Sequence, residues 1–91
     1  MKKYVIERDI PGIGNSSAAD LQGIAQRSNA VLATLGKDIQ WIQSYVTGNK
    51  IYCVYLAANE EIVRQHANRG GFPANSISEV KNIIDPTTAG D

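Results

Sequence analysis

A single cysteine occurs in the 91 residues, so no internal disulfide can form and the chain suits a reducing compartment. A single histidine occurs as well, and one imidazole cannot build a metal cage by itself. No block of Lys or Arg exists. Nine basic and nine acidic residues are spread along the chain, which leaves no electrostatic footprint for nucleic acid or a membrane surface. No apolar run approaches the ~20 residues of a membrane span. After Met1-Lys2-Lys3, the charges of Glu7, Arg8 and Asp9 interrupt anything like the apolar core of a signal peptide. The expected location is the cytoplasm. No CxxC, Ser/His/Asp or paired-carboxylate spacing is present. The length suits one domain, 1–91, with 86–91 as a short polar tail that should fray.

What is present begins with a hairpin. Ile39 to Leu56 holds two runs rich in β-branched and aromatic residues, separated by Gly48-Asn49. That pair tolerates the positive φ angles of a tight turn. A two-residue loop there sets Tyr45 opposite Tyr52, Gln43 opposite Val54 and Trp41 opposite Leu56, all on one face. Ile42, Ser44, Val46, Ile51, Cys53 and Tyr55 then share the other. Both faces are largely apolar, whereas a sheet with one solvated face alternates more cleanly. The second face is expected to meet a partner subunit, a ligand, or both.

The remaining elements fall on either side. Lys3 to Ile10 reads as a strand ended by Pro11-Gly12. Ser17 with Asp20 is a capping-box-like helix start. Leu21, Ile24, Ala25, Ser28, Val31, Leu32 and Leu35 follow as one apolar stripe, and Gly36 closes the helix. Asn59 with Glu60-Glu61 opens a second helix running to about Arg69, with Ile62, Val63, His66 and Ala67 inward. Gly70-Gly71 stop it. Ser76 to Asp85 reads as the last strand, with Ile77, Val80, Ile83 and Ile84 as its apolar positions and Pro86 as its end. The order β-α-β-β-α-β with right-handed crossovers predicts an α+β, ferredoxin-like fold. Its four-stranded antiparallel sheet has the order 4-1-3-2, with both helices on one face. The open face predicts a homodimer of the α+β barrel type.

Several residues are candidates for chemistry. His66 is either a core-edge histidine or a metal ligand or general base at a pocket rim. As a ligand it needs carboxylates such as Glu7 or Glu79, or a second subunit. Trp41, Tyr45 and Tyr52 form an aromatic patch around Gln43. It reads equally as a dimer core or as a ligand pocket oriented by Gln43 and the tyrosine hydroxyls. Phe72, after the Arg69-Gly70-Gly71 stop, is placed to stand with Arg69 at a pocket mouth. Cys53 reads as a small buried hydrophobe. Glu7, Arg8 and Asp9 read as a solvated charge cluster.

Five segments together are similar to a family of small bacterial proteins often labelled nickel-binding. They are Lys3 to Gly12, Gln40 to Thr47, Lys50 to Tyr55, Asn59-Glu-Glu with His66 to Ala74, and Ile84-Asp-Pro-Thr-Thr. The resemblance spans nearly the whole chain. It implies a ferredoxin-like subunit, a homodimer, and surface binding of Ni²⁺ in some members for sequestration. It carries over His66 as a metal ligand, with Glu7 and the Met1 amine as helpers. Gln43 stands where many relatives have histidine, and an amide is a poor substitute for imidazole on Ni²⁺. Three functions follow as expectations. The first is a dimeric divalent-metal-binding protein. The second is a barrel that binds or transforms a small organic molecule, with monooxygenase- or isomerase-like activity. The third is an assembly protein without chemistry of its own.

Overall fold

The computed structural model describes residues 1–90. The chain forms β1 (Lys2–Asp9), α1 (Ala18–Leu35), β2 (Ile39–Val46), β3 (Lys50–Ala57), α2 (Glu60–Gly70) and β4 (Ser76–Glu79). Short 3-10 turns lie at Ile13–Asn15, Gly36–Asp38 and Pro86–Ala89. The strands lie in the order β2-β3-β1-β4, with every neighbouring pair antiparallel. This is the order 4-1-3-2 read from the other edge, and the fold is the ferredoxin-like α+β one.

Local chemistry explains the elements. In β1, Tyr4, Ile6 and Arg8 are buried under the helices while Lys3, Val5 and Glu7 point to the open side. Ser17 Oγ accepts from the Asp20 N–H and the Asp20 carboxylate accepts from the Ser17 N–H, each at 3.1 Å, which completes a capping box. Asn59 Oδ1 accepts the Ile62 N–H at 3.0 Å and starts α2. Gly71, at φ 69°, ends α2 in the left-handed conformation. Between the layers, Tyr4, Ile6, Ile39, Ile51, Tyr55 and Val63 make one core. Burial of each such side chain contributes about 1.5–3 kcal/mol before ordering entropy is counted.

The hairpin departs from its expected register at one point. Tyr45 does face Tyr52 and Gln43 does face Val54. A bulge between Trp41 and Gln43 then shifts the ladder, so Trp41 faces Tyr55 rather than Leu56. One extra residue in a strand turns everything beyond it to the opposite side. Trp41 therefore lies on the helix side, where its Nε1–H donates to Ser44 Oγ at 3.0 Å. Ile42, the extra residue, is exposed. The turn also differs from the expected kind, because neither Gly48 nor Asn49 has a positive φ. Polar contacts hold it instead. Thr47 Oγ1 donates to the Lys50 carbonyl at 2.9 Å and accepts the Lys50 N–H at 3.2 Å. The 10–14 loop clasps the turn from outside. The Ile10 N–H donates to the Asn49 carbonyl at 2.9 Å, and the Gly14 N–H to the Gly48 carbonyl at 3.0 Å.

The last strand is shorter than expected. It pairs Ser76–Glu79 with Glu7–Tyr4, and the Val80 N–H still reaches the Lys3 carbonyl at 2.8 Å. There β1 runs out, so a strand to Asp85 would have no partner. Ile83 and Ile84 are consequently exposed rather than part of the core. Within the expected tail, Asp85 caps an ordered 3-10 turn, accepting the Thr87 N–H at 2.9 Å. Asp91 lies outside the described residues.

A Cβ built on Gly14 would sit 2.7 Å from the Thr47 carbonyl oxygen and 2.8 Å from the Gly48 Cα, both backbone atoms. Gly14→Ala should therefore lower stability by about 1–3 kcal/mol. Gly23→Ala, in open space on α1, should raise it by ~0.5–1 kcal/mol. Urea midpoints of the two variants check this, and equal midpoints would contradict the clasp between the 10–14 loop and the hairpin.

Candidate functional site

A row of polar side chains crosses the layer between sheet and helices. β1 supplies Arg8, β3 supplies Cys53 and Tyr55, α1 supplies Ser28 and α2 supplies His66. Arg8, Ser28 and His66 owe their burial to the periodicities of their elements. Arg8 follows Tyr4 and Ile6 at period two, Ser28 follows Ile24 by one helical turn, and His66 follows Ile62 by another. His66 is fully buried. Its Nε2 is 3.1 Å from Ser28 Oγ and its Nδ1 is 3.5 Å from Tyr55 Oη. Its ring stacks on Phe72, with centroids 5.5 Å apart.

Arg8 is the buried charge of this row, at 2% exposure. Its Nε–H donates to Cys53 Sγ at 3.4 Å, its Nη1 to the Pro73 carbonyl and its Nη2 to Tyr55 Oη at 3.4 Å. None of the three acceptors is a carboxylate. The solvated cluster expected at Glu7-Arg8-Asp9 is thus divided by the pleat. Glu7 and Asp9 lie on the open side, held by Lys50 at 2.9 and 3.5 Å, while Arg8 lies inside. Burial pushes the His66 pKa down to about 4, and the Arg8 charge adds to that shift. Burial pushes the Tyr55 hydroxyl up to about 12. At neutral pH both are uncharged, and a Tyr55 hydroxyl that accepts from Arg8 can donate its own proton to His66 Nδ1.

Next to this row is a cavity of about 490 Å³ between the sheet and α1. Trp41 and Phe72 line it, as do Arg8, Arg27, Cys53 and Tyr55. Of the five residues expected to form a ligand pocket, the fold brings Trp41 and Phe72 together here. Gln43, Tyr45 and Tyr52 lie across the sheet on the open face, where Gln43 Nε2 donates to the Tyr45 hydroxyl. Arg69 is not part of the lining; its Nη1 donates to Thr34 Oγ1 at 3.1 Å. From sequence, Arg8 reads as part of a solvated cluster and Ser28 and Tyr55 as packing positions, and none of them, nor Arg27, is expected at a site. The period-two placement of Arg8 behind Tyr4 and Ile6 was the one available signal.

The expected metal donors do not converge. His66 is under the helices and Glu7 is on the far side of the sheet. Lys50 donates to Glu7 at 2.9 Å, and this contact holds the Glu7 carboxyl below its usual range. Among the described residues, no three His, Cys, Asp or Glu side chains gather in a way that could hold an ion. Both His66 nitrogens already face polar partners. The side chains of one chain therefore do not fit a preformed Ni²⁺ site.

Residues 4–80 match the family model described as nickel responsive protein SCO4226-like. The chain belongs to that family. The crystal structure of SCO4226 from Streptomyces coelicolor A3(2) is similar in fold, with a TM-score of 0.75. The likeness covers 90% of this chain and 99% of that one at 20% identity, which speaks to the fold alone. No curated protein matches the chain. Among the described residues, no helix is long and apolar enough to cross a membrane.

The His66 environment sets a pH dependence. The unfolded chain takes up the imidazole proton near 6.5 and the folded chain only near 4, so folding favours the neutral form. That contribution is fully present above pH 6.5 and is lost as pH falls through 4, with an upper bound on the order of 3 kcal/mol. Denaturation of the wild type and His66→Gln between pH 7.5 and 5 should show a steeper loss for the wild type. Parallel curves would mean that His66 does not titrate in this way.

Proposed function

We propose that this protein is a homodimer that binds a divalent metal at low affinity, Ni²⁺ being the first candidate, in a sequestering role. Membership of a family described as nickel responsive is the observation that carries this reading. The sheet supports the dimer. Val5, Tyr45, Tyr52, Val54 and Leu56 lie on the side that neither helix covers, and Tyr45 is 56% exposed. Contact with a second copy would remove that apolar surface from water, and a two-fold axis is the simplest way for like faces to meet. The single free cysteine suits the cytoplasm.

In this reading His66 is a structural residue, and the metal is held by exposed carboxylates from two subunits. Glu7 is the leading donor because it lies on the open face. An interface with two-fold symmetry that includes Glu7 includes it twice. The Glu7–Lys50 pair is partly exposed and screened by solvent, so a cation can displace the lysine. Carboxylates are weaker donors to Ni²⁺ than imidazoles, in keeping with low affinity.

Native mass spectrometry of chelator-stripped protein at pH 7.5 tests both parts. A dimer that takes up Ni²⁺ in both wild type and His66→Gln, and loses it in Glu7→Gln, is the expected result. Absence of specific Ni²⁺ uptake overturns the metal reading, and loss of uptake in folded His66→Gln returns the ligand role to His66. Val54→Lys, at the middle of the open face, should convert dimer to monomer; a monomeric wild type overturns the dimer.

A further inference from the structure

The geometry points to the cavity between the sheet and α1 as a binding site for a small apolar organic carboxylate, seated by Arg8 and closed over by Arg27. This goes beyond the metal reading and involves the opposite side of the sheet.

The first argument is the state of Arg8. A guanidinium carries five N–H donors. Three are used, one each from Nε, Nη1 and Nη2. That leaves one N–H free on each terminal nitrogen, donors that an incoming carboxylate can use. No carboxylate among the described residues forms an ion pair with Arg8. A buried ion is less well solvated than in water, and the three acceptors, none of them a carboxylate, return only part of that. An anion entering the cavity would supply the missing counter-charge.

The second argument is the shape and lining of the cavity. Its volume of about 490 Å³ falls in the range of small-molecule sites. Ile13, Leu21, Ile24, Trp41 and Ile51 give it apolar walls. Such walls favour a guest with one charge and an aromatic or branched body over a phosphate or a sugar acid. Asp9 borders the cavity where β1 ends, and its carboxylate is paired with Lys50 Nζ at 3.5 Å.

The third argument is Arg27. It is exposed, and no ion pair with it exists among the described residues. Its guanidinium carbon sits 4.5 Å above the Phe72 ring, and that of Arg8 5.4 Å from the same ring. Phe72 thus brings the inner and outer cations to one wall of the cavity. An incoming carboxylate would meet Arg27 first and Arg8 after it is desolvated.

The test uses the metal-free full chain and two probes of equal shape, 2-naphthoate and neutral 2-naphthamide. Binding is followed by nuclear magnetic resonance of the Trp41 indole N–H and the Arg8 Nε–H. Naphthoate should shift both signals and bind at least about tenfold more tightly than the amide. Arg27→Gln should weaken naphthoate about three- to tenfold and the amide by less, so the preference for the acid falls. Arg8→Lys, which keeps the charge but not the paired donors, should reduce the preference for the acid. Equal affinity for acid and amide would overturn the proposal, since the cavity would then be merely apolar. Failure of millimolar naphthoate to move either signal would overturn it too.

Discussion

A guanidinium held out of water is the constraint around which this small domain is arranged. Arg8 projects from β1 into the space under α1 and α2, at a strand position that alternation makes internal. Its stem packs there, but its charge has to be met. The response is spread over three parts of the chain: the Cys53 sulfur and Tyr55 hydroxyl of β3, and the Pro73 carbonyl of the segment after α2. Each contact ties β1 to something distant in sequence. The same charge helps to keep His66 neutral, and neutral His66 bridges α1 to the sheet through Ser28 and Tyr55. In this arrangement both ring nitrogens of His66 face polar partners within the chain.

The two faces of the sheet consequently have different characters. The helix side holds the buried charge, the polar row and a cavity with two guanidinium groups at one wall. The open side holds tyrosines, valines, a leucine and the Glu7–Lys50–Asp9 group, all on a flat strand surface without a covering layer. The bulge after Trp41 sorts the aromatics between these sides. Without it the indole would join Tyr45 and Tyr52 on the open face, and the cavity would lose a wall. One inserted residue therefore links strand register to what each face can recognise.

Much of the fold was legible because it rests on local rules. The capping box at Ser17 and Asp20, the stripe from Leu21 to Leu35, the Asn59 cap and the stop at Gly71 all depend on neighbours within a few residues. The strand order follows from element order and handed crossovers. The site was less legible. Glu7-Arg8-Asp9 reads as three solvated charges until the pleat is applied, and then the middle one faces the core. The turn at Gly48-Asn49 looked like a left-handed pair, yet contacts from the 10–14 loop and the Thr47 hydroxyl hold it in another conformation. The final strand looked ten residues long by composition, but its length is set by where β1 stops offering partners.

The division has a physical origin. Sequence by itself determined the elements, their order, the inward stripes of both helices and the class of the fold, because hydrophobic period and capping act over one or two turns. It also determined that a transition metal would find a single imidazole and a single thiol in one chain. Tertiary structure alone decided that His66 meets Ser28 across 38 positions, that Trp41 lies under the helices, and that Arg8 is buried with no carboxylate partner among the described residues. Those outcomes depend on which residues become neighbours when sheet and helices close. The free energies involved, desolvation of a charge and a shift of register, have no local signature in the chain.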